Sequence, residues 1–199
     1  MKNQIIRTAI LFLVILGYFA FESHAQKTPI IYPGKGLDGV DLGFSSEDEI
    51  AARFGDMYWL EDVMVTEYFD KDQKEKQLLI NTKMIYRKEG LIFHFLIRPE
   101  DSLGKLVAIQ AIKPYKAVTP QGIELNVSTM QDVVTAYGEG KWGFSNQNKE
   151  VVLTYDGIVF HVKMKKKVKE FDKAEFDTLY LSMVVEKITI SNDPKKAFY

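Results

Sequence analysis

The feature that most restricts the fold of this chain is a stretch of 21 residues that occurs twice. Residues 39–59 align without gaps to residues 122–142, and five of the 21 positions are identical. The identical pairs include Trp59 and Trp142, which are the only two tryptophans of the chain. A segment repeated at a fixed offset indicates that one structural unit has been copied. We therefore predict two tandem units that fold alike.

A further match extends the repeat and sets the domain boundaries. Residues 86–95 resemble residues 155–162 when Gly90 is placed on Gly157. The segment 113–121 carries two prolines and is typical of a linker between the copies. We expect three parts: a leader at residues 1–25, a first repeat at residues 26–115 and a second repeat at residues 116–199.

Each copy contains the signals of one short helix. Ser45 and Ser46 precede Asp48 and Glu49 by three positions, and Ser128 and Thr129 precede Gln131 and Asp132 in the same way, which is the pattern of a capping box. Apolar residues four positions apart follow in each copy and give the predicted helix one apolar face.

Glycines end each predicted helix and mark the turns that follow. Gly55 and Gly138 stand where a helix closes with a residue of positive φ, and Gly90 and Gly157 stand in predicted hairpin turns. Each unit then consists of a short strand, one short helix and three or four antiparallel strands. The predicted class is α+β, with two tandem repeats, each a short helix packed on one face of an antiparallel sheet of three to four strands.

The first 25 residues have the form of a secretory signal peptide. Lys2 and Arg7 precede an apolar run at residues 8–21, and Ser23 and Ala25 place small residues at the cleavage positions. We expect cleavage after Ala25 and a periplasmic or secreted protein of a bacterial envelope. The apolar run is shorter than the roughly 20 residues that span a membrane, so we expect no stable membrane anchor after cleavage.

The composition excludes several classes of chemistry. The chain has no cysteine, so it forms neither a disulfide nor a thiolate metal site. Without the leader the formal net charge is −2, which argues against a dedicated nucleic-acid binder. Only His94 and His161 remain as histidines, and they align between the repeats. A Zn²⁺ site needs three or four ligands, so we interpret both as packing residues and expect neither a metal nor another cofactor.

Alternation along the predicted strands separates two faces. In the second repeat Phe160 and its apolar neighbours face the helix, whereas His161 lies on the other face. The same face carries a basic stripe, consisting of Lys163, Lys165, Lys167 and Lys169. This stripe is either a solvated strand face that the acidic residues of 170–177 neutralise across a hairpin, or a basic patch for an acidic protein or an anionic envelope lipid.

The two tryptophans leave two roles open. Trp59 and Trp142 are either half-buried anchors of the core or aromatic contacts to a partner.

The repeated pattern resembles a known type of envelope domain. In residues 39–59 and 122–142, an apolar segment and a Ser-Ser or Ser-Thr pair precede an apolar residue, an aromatic–glycine pair and a tryptophan. This order is similar to that of the small outer-membrane assembly domains of the BamE/SmpA family. Its tandem form resembles the β-lactamase inhibitory protein family, which is built from two such repeats. The resemblance implies an open antiparallel sheet that binds protein partners.

Together these observations favour an exported, non-catalytic protein-binding module that uses the sheet face without helices. An inhibitor, an immunity protein and an envelope-assembly factor all fit this description. A carrier of an apolar or anionic small molecule is the first alternative, and an enzyme using carboxylate or tyrosine chemistry is the second, although no paired-carboxylate arrangement stands out. The candidate partner-binding residues are Trp59, Trp142, His94, His161, Lys163, Lys165 and Lys167.

Overall fold

A main antiparallel sheet and three short helices make up the described part of the chain. The computed structural model describes residues 28–69, 76–97, 104–170 and 172–192, and their side chains outside 63–80. The elements in chain order are β1 (Ile31–Tyr32), β2 (Gly36–Leu37), β3 (Val40–Asp41), α1 (Glu47–Phe54), β4 (Trp59–Phe69), β5 (Lys76–Tyr86), β6 (Leu91–Ile97), β7 (Lys105–Ile112), α2 (Met130–Tyr137), β8 (Lys141–Ser145), β9 (Glu150–Tyr155), β10 (Ile158–Lys163), α3 (Lys173–Tyr180) and β11 (Lys187–Ser191). Strands β1 to β3 form a small sheet, and the other eight form the main sheet.

The main sheet joins the two halves of the chain edge to edge. Its strand order is β4-β5-β6-β7-β11-β10-β9-β8, and every neighbouring pair is antiparallel. The junction is the pair β7–β11, in which Ile109 lies opposite Ile190. The predicted α+β class with an antiparallel sheet is confirmed, and the two halves share one continuous sheet.

Helices α1 and α2 begin with the predicted capping boxes. The Ser46 hydroxyl accepts a hydrogen bond from the Glu49 N–H, and the Glu49 carboxylate accepts one from the Ser46 N–H. Thr129 and Asp132 exchange the same two bonds at α2. Both boxes satisfy N–H groups that the first helical turn leaves without an intrahelical acceptor, so they fix where each helix starts.

Both of these helices end at a glycine whose backbone conformation few other residues tolerate. Gly55 has φ +89° and ψ 174°, and Gly138 has φ +81° and ψ −163°. Positive φ combined with an extended ψ is open essentially to glycine alone. The glycines therefore turn the chain from the helix directly into the approach to the next strand.

All three described helices pack on the same face of the main sheet. Phe54 of α1 has its ring centroid 5.5 Å from that of Phe93 on β6, and Tyr137 of α2 lies 5.3 Å from Phe160 on β10. Phe176 of α3 belongs to the same apolar cluster. We call the opposite surface of the main sheet, to which His94 and His161 point, the helix-free face.

A tyrosine ties each of α1 and α2 to the sheet. The Tyr86 hydroxyl donates a hydrogen bond of 2.8 Å to the Gly55 carbonyl, and the Tyr155 hydroxyl donates one of 2.8 Å to the Gly138 carbonyl. Tyr86 is the last residue of β5 and Tyr155 the last of β9, so each precedes a hairpin turn. Because the acceptor belongs to the glycine that ends the helix, each bond holds a helix end over the sheet.

The structure differs from the sequence prediction between residues 164 and 180. Strand β10 ends at Lys163, which lies opposite Glu150, the first residue of β9. The Met164 N–H donates one more hydrogen bond to the Lys149 carbonyl, but Lys149 has φ +55°, so the extended conformation of the partner strand ends there. A third helix, α3, follows instead of a continued strand, so the prediction of a strand stripe through Lys165 and Lys167 is wrong. The acidic residues that we placed across a hairpin lie partly on this helix, where Glu175 pairs with Lys166.

We expect Tyr86→Phe to lower the free energy of unfolding by about 1 kcal/mol, because it deletes one hydrogen bond of a buried ring and leaves the Gly55 carbonyl unsatisfied. Urea denaturation measures the effect. The matched control is Tyr32→Phe, because Tyr32 is exposed and its hydroxyl has no hydrogen bond with a described residue. Equal midpoints for the two variants would contradict a role of the Tyr86 bond in holding α1.

Candidate functional site

The helix-free face has a polar centre. Because side chains alternate along a strand, His94 of β6, Gln110 of β7, Thr189 of β11 and His161 of β10 point away from the helices. His94, His161 and Thr189 are at most 5% exposed. Buried polar side chains need hydrogen-bond partners, so the partners of these residues define what this face can do.

Four side chains of the second half form a connected network on this face. His161 Nδ1 lies 3.1 Å from Glu150 Oε2, and His161 Nε2 lies 2.9 Å from the Thr189 hydroxyl. Lys187 Nζ donates to both oxygens of the Glu150 carboxylate, at 2.6 and 2.8 Å. Strands β9, β10 and β11 supply these residues, so the register of three adjacent strands builds the network.

The charges of the network follow from its surroundings. Burial acts to raise the pKa of Glu150, but the hydrogen bonds from His161 and Lys187 outweigh it and lower that pKa to about 2. Burial lowers the pKa of His161 to about 4, against the opposing hydrogen bond with Glu150. At neutral pH Glu150 is therefore ionised and can only accept, so His161 donates from Nδ1 and accepts from the Thr189 hydroxyl at Nε2.

A hydroxyl, an imidazole and a carboxylate in this order also occur in nucleophilic active sites. Here the hydroxyl belongs to Thr189, which is 0% exposed in the middle of the sheet. A nucleophile has to reach the reacting atom of its substrate, and this hydroxyl has no such access. The arrangement therefore orients charges within the sheet and does not present a nucleophile.

The first half carries a different set at the corresponding places. His94 lies opposite Ala108 on the neighbouring strand, whereas His161 lies opposite Lys187. Asn81 stands two residues before the strand partner of His94, as Glu150 stands two residues before that of His161. Burial, followed by the charge of Lys83, lowers the pKa of His94 to about 4, while a hydrogen bond with Gln110 opposes this.

These differences leave buried atoms without hydrogen bonds. Among the described residues, neither Asn81 Oδ1 nor His94 Nε2 has a hydrogen-bond partner. The complete network of the second half, with its carboxylate and ammonium, is therefore not repeated in the first half.

An open depression of about 330 Å³ lies at the edge of the complete network. Its walls include six residues of β7, β9, β10, β11 and their connections: Ile112, Lys149, Glu150, Lys163, Glu186 and Lys187. Lys149, Lys163 and Glu186 are exposed. The depression is thus the place where the charges of the network reach the surface.

The two tryptophans lie on opposite faces of the sheet. Trp142 lies opposite Leu153, is 9% exposed and donates from its indole N–H to Asp177 at 3.2 Å. Trp59 lies opposite Ile85 and is 63% exposed, with the Arg87 guanidinium 5.0 Å from its ring centroid. The aligned tryptophans thus differ by one residue in the register of their strands, and a shift of one residue turns every side chain to the other face. The prediction that Trp59 and Trp142 belong to one partner-binding surface is therefore wrong.

A close contact explains why the two strands begin in different registers. Tyr58 packs its ring 5.5 Å from that of Tyr86 just before β4 starts. At the approach to β8 stands Gly140, where a side-chain carbon would come within 2.6 Å of the Tyr155 ring. Strand β8 therefore begins with Lys141 on the helix-free face, and its tryptophan turns inward.

The structure separates the remaining predicted site residues into three groups. His94 and His161 lie below the surface of the helix-free face, and Lys163 ends β10 beside the depression. Lys165 and Lys167 are exposed in the connection to α3. Trp59 lies on the edge strand β4, which four strands separate from β10, so it forms no common patch with the lysines.

Sequence reasoning missed Glu150, Lys187 and Thr189, which complete the network. The outward alternation of β9 and β11 contains these residues, but only the pairing of both strands with β10 brings them to His161.

Neither a cluster of metal ligands nor a membrane-spanning helix is found in the described part of the chain. Among the described residues, no group of three or more His, Asp or Glu side chains is placed to hold a metal ion. Each described helix has eight residues, and none is long and apolar enough to cross a bilayer. No known protein family, no curated protein and no solved structure matches the chain.

We expect stability to fall as the pH drops from 6.5 towards 4. The pKa of His161 is about 4 in the folded state and 6.5 as its ordinary value, so the unfolded state binds more protons in this window. The same direction holds for His94. Each histidine contributes up to about 1.4 kcal/mol per pH unit. Urea denaturation across this range, for the parent and His161→Gln, measures the slope; parallel profiles of the two proteins would refute a neutral buried His161.

We expect Lys187→Met to destabilise the fold by about 2 kcal/mol, because it leaves the largely buried Glu150 carboxylate without its ammonium partner. Lys163→Met is the matched control. Lys163 lies opposite Glu150 itself but is exposed and makes no ion pair with a described residue, so its loss should change stability by less than about 0.5 kcal/mol. The double variant Glu150→Gln/Lys187→Met should recover part of the loss. A result in which both single lysine variants behave alike would show that the Lys187–Glu150 pair contributes nothing.

Proposed function

We propose that the chain is an exported, non-catalytic protein-binding module that engages its partner through the lysine-bearing end of the helix-free face. The observation that carries this proposal is the division of the main sheet. The three described helices cover one face, and on the other face the exposed lysines gather where β9, β10 and β11 meet. Charged groups fixed on a rigid sheet set the orientation and the identity of a partner more than they set affinity.

In this proposal the two histidines support the surface and do not contact the partner. His161 donates to Glu150, and Glu150 holds the Lys187 ammonium at the edge of the depression. Both histidines are nearly fully buried, which leaves contact to the exposed residues around them. Lys163 lies beside the depression, whereas Lys165 and Lys167 follow it as exposed residues in the connection to α3, where Lys167 faces a second depression against that helix.

We also propose that the two halves descend from one duplicated unit. The capping boxes of α1 and α2, their terminal glycines and the two tyrosine bonds recur at matched places. Gly43 and Asn126, which align in the sequence, both have positive φ. The last four strands occupy the main sheet in the reverse order of the first four, as a two-fold axis at the β7–β11 junction would produce. The tryptophans depart from this relation by one residue of register.

The duplication supports the resemblance to envelope-assembly domains and to β-lactamase inhibitory proteins. In this proposal the chain resembles tandem units that share one open sheet and bind proteins with it. The proposed export depends on residues 1–25, which lie outside the described residues. Their n-region and apolar run support cleavage after Ala25 and a periplasmic or secreted location.

A carrier of small molecules is the second candidate, and one observation favours it. A depression of about 550 Å³ lies between the lysine-rich connection and α3, with Lys166 and Lys167 beside the apolar side chains of Phe176 and Leu179. The lining also holds the carboxylates of Glu170, Asp172 and Glu175, so it suits an amphiphile whose head group interacts with both signs of charge. Native mass spectrometry of protein purified from an envelope fraction should show a bound mass if this is the function; the bare mass alone would reject it.

The protein-binding proposal is tested by charge reversal. We expect Lys163→Glu/Lys165→Glu/Lys167→Glu to lose most of the envelope proteins that the parent captures, because the surface changes sign. The control Lys88→Glu/Lys116→Glu/Lys141→Glu reverses three exposed lysines elsewhere and should capture the same proteins as the parent. Quantitative mass spectrometry of crosslinked complexes provides the measurement. Equal recovery by both triple variants would reject this surface as the binding site.

A further inference from the structure

In the depression at the edge of the complete network, some charged side chains form ion pairs within the sheet and others do not. The Glu150 carboxylate accepts from His161 at one oxygen and from Lys187 at both. Its negative charge is therefore committed inside the sheet. Lys149 and Lys163, which also line the depression, form no ion pair with any described residue.

This balance favours an anion over a cation as the ligand. A cation entering the depression would meet Lys149, Lys163 and Lys187, with Glu186 as the only carboxylate that is not already hydrogen-bonded to a described side chain. An anion would meet two unpaired ammonium groups and a third, Lys187, that the network holds in place. A lysine ammonium has three N–H donors, and Glu150 takes two from Lys187, so one donor remains for a ligand.

The size and the walls of the depression narrow the class of anion. Ile112 lies opposite Lys187 and gives the depression an apolar wall next to the ammonium. An apolar stem ending in a carboxylate matches this arrangement. We propose that the depression is a receptor for one acidic side chain, glutamate above all, of the protein partner. This inference rests on the proposed function and names the chemistry of the partner at that surface.

The receptor can be examined without the partner. The probes are N-acetylglutamate N-methylamide and its neutral isostere, N-acetylglutamine N-methylamide, which differ only in the side-chain charge. Titration of ¹⁵N-labelled protein should give saturable shifts at the amides of Lys149, Lys163 and Glu186 with the glutamate probe, at a Kd of about 1–10 mM, as expected for one charged side chain. The glutamine probe should leave these resonances in place.

Two paired variants decide whether the lysines of the depression are responsible. Lys149→Asn/Lys163→Gln removes both unpaired charges, and asparagine tolerates the positive φ of residue 149. We expect this variant to bind the glutamate probe at least about fivefold more weakly. Lys105→Gln/Lys141→Gln, which removes two exposed lysines of β7 and β8 away from the depression, should bind it like the parent. The His161 ring supplies an independent signal, because a bound anion beside it should raise its pKa in the parent and not in the first variant.

Three results of the titration would overturn the inference. Equal shifts with both probes, an unchanged Kd in Lys149→Asn/Lys163→Gln, or no saturable shift up to about 50 mM would exclude a carboxylate receptor. Sedimentation with phosphatidylglycerol vesicles, dependent on Lys149 and Lys163 in the absence of glutamate binding, would assign the depression to a lipid surface instead. Probe binding together with unchanged protein capture by the lysine-reversed variant would leave the receptor standing and reject the proposed function.

Discussion

The pairing of β7 with β11 is the contact on which the rest of the structure depends. Each half of the main sheet has four strands, and without this pairing each would expose an additional edge of unpaired N–H and C=O groups. The junction removes both edges and leaves only β4 and β8 at the ends of the sheet. It also aligns Gln110 with Thr189, which places the polar side chains of both halves in the centre of one face. The same register places Ile112 of β7 opposite Lys187, and both residues line the depression beside the complete network.

The two faces of the sheet are held by different kinds of interaction. On the helix-covered face, aromatic rings and two tyrosine hydroxyls hold α1 and α2 by contacts that bury apolar area and satisfy helix-end carbonyls. On the helix-free face, the ion pair of Glu150 with Lys187 contributes little net stability, since desolvation of both groups offsets much of their attraction. What such a pair provides is a fixed position for charge. This division is consistent with a fold stabilised from one side and used for recognition on the other.

The sequence predicts the parts of the fold that local chemistry determines. The capping boxes, the terminal glycines and the hairpin turns depend on residues close together in the chain, and the duplicated pattern makes each of them visible twice. The position of the tryptophans could not be predicted in this way, because it depends on whether Tyr58 or Gly140 meets the tyrosine of the adjacent strand. Helix α3 was not predicted because alternating lysines continue the strand pattern past Lys163. In the structure β9 begins at Glu150, which lies opposite Lys163, so the ladder ends there. The network required the register of three strands, which no single segment contains.

The contrast between His94 and His161 shows how one arrangement of strands acquires different properties in its two halves. His161 has a carboxylate and a hydroxyl as partners, whereas Asn81 Oδ1 and His94 Nε2 are buried without hydrogen bonds. Hydrogen bonds to buried polar groups contribute to stability, and only the second half supplies its histidine with a carboxylate and a hydroxyl from neighbouring strands. At the places that Ala108 and Asn81 occupy in the first half, the second half has Lys187 and Glu150. Glu150 gives His161 a hydrogen-bond partner, and Lys187 brings an ammonium group to the surface. The charged network therefore lies in the second half, beside the depression. The first half retains His94 but has neither a carboxylate nor an ammonium group at the places of Glu150 and Lys187.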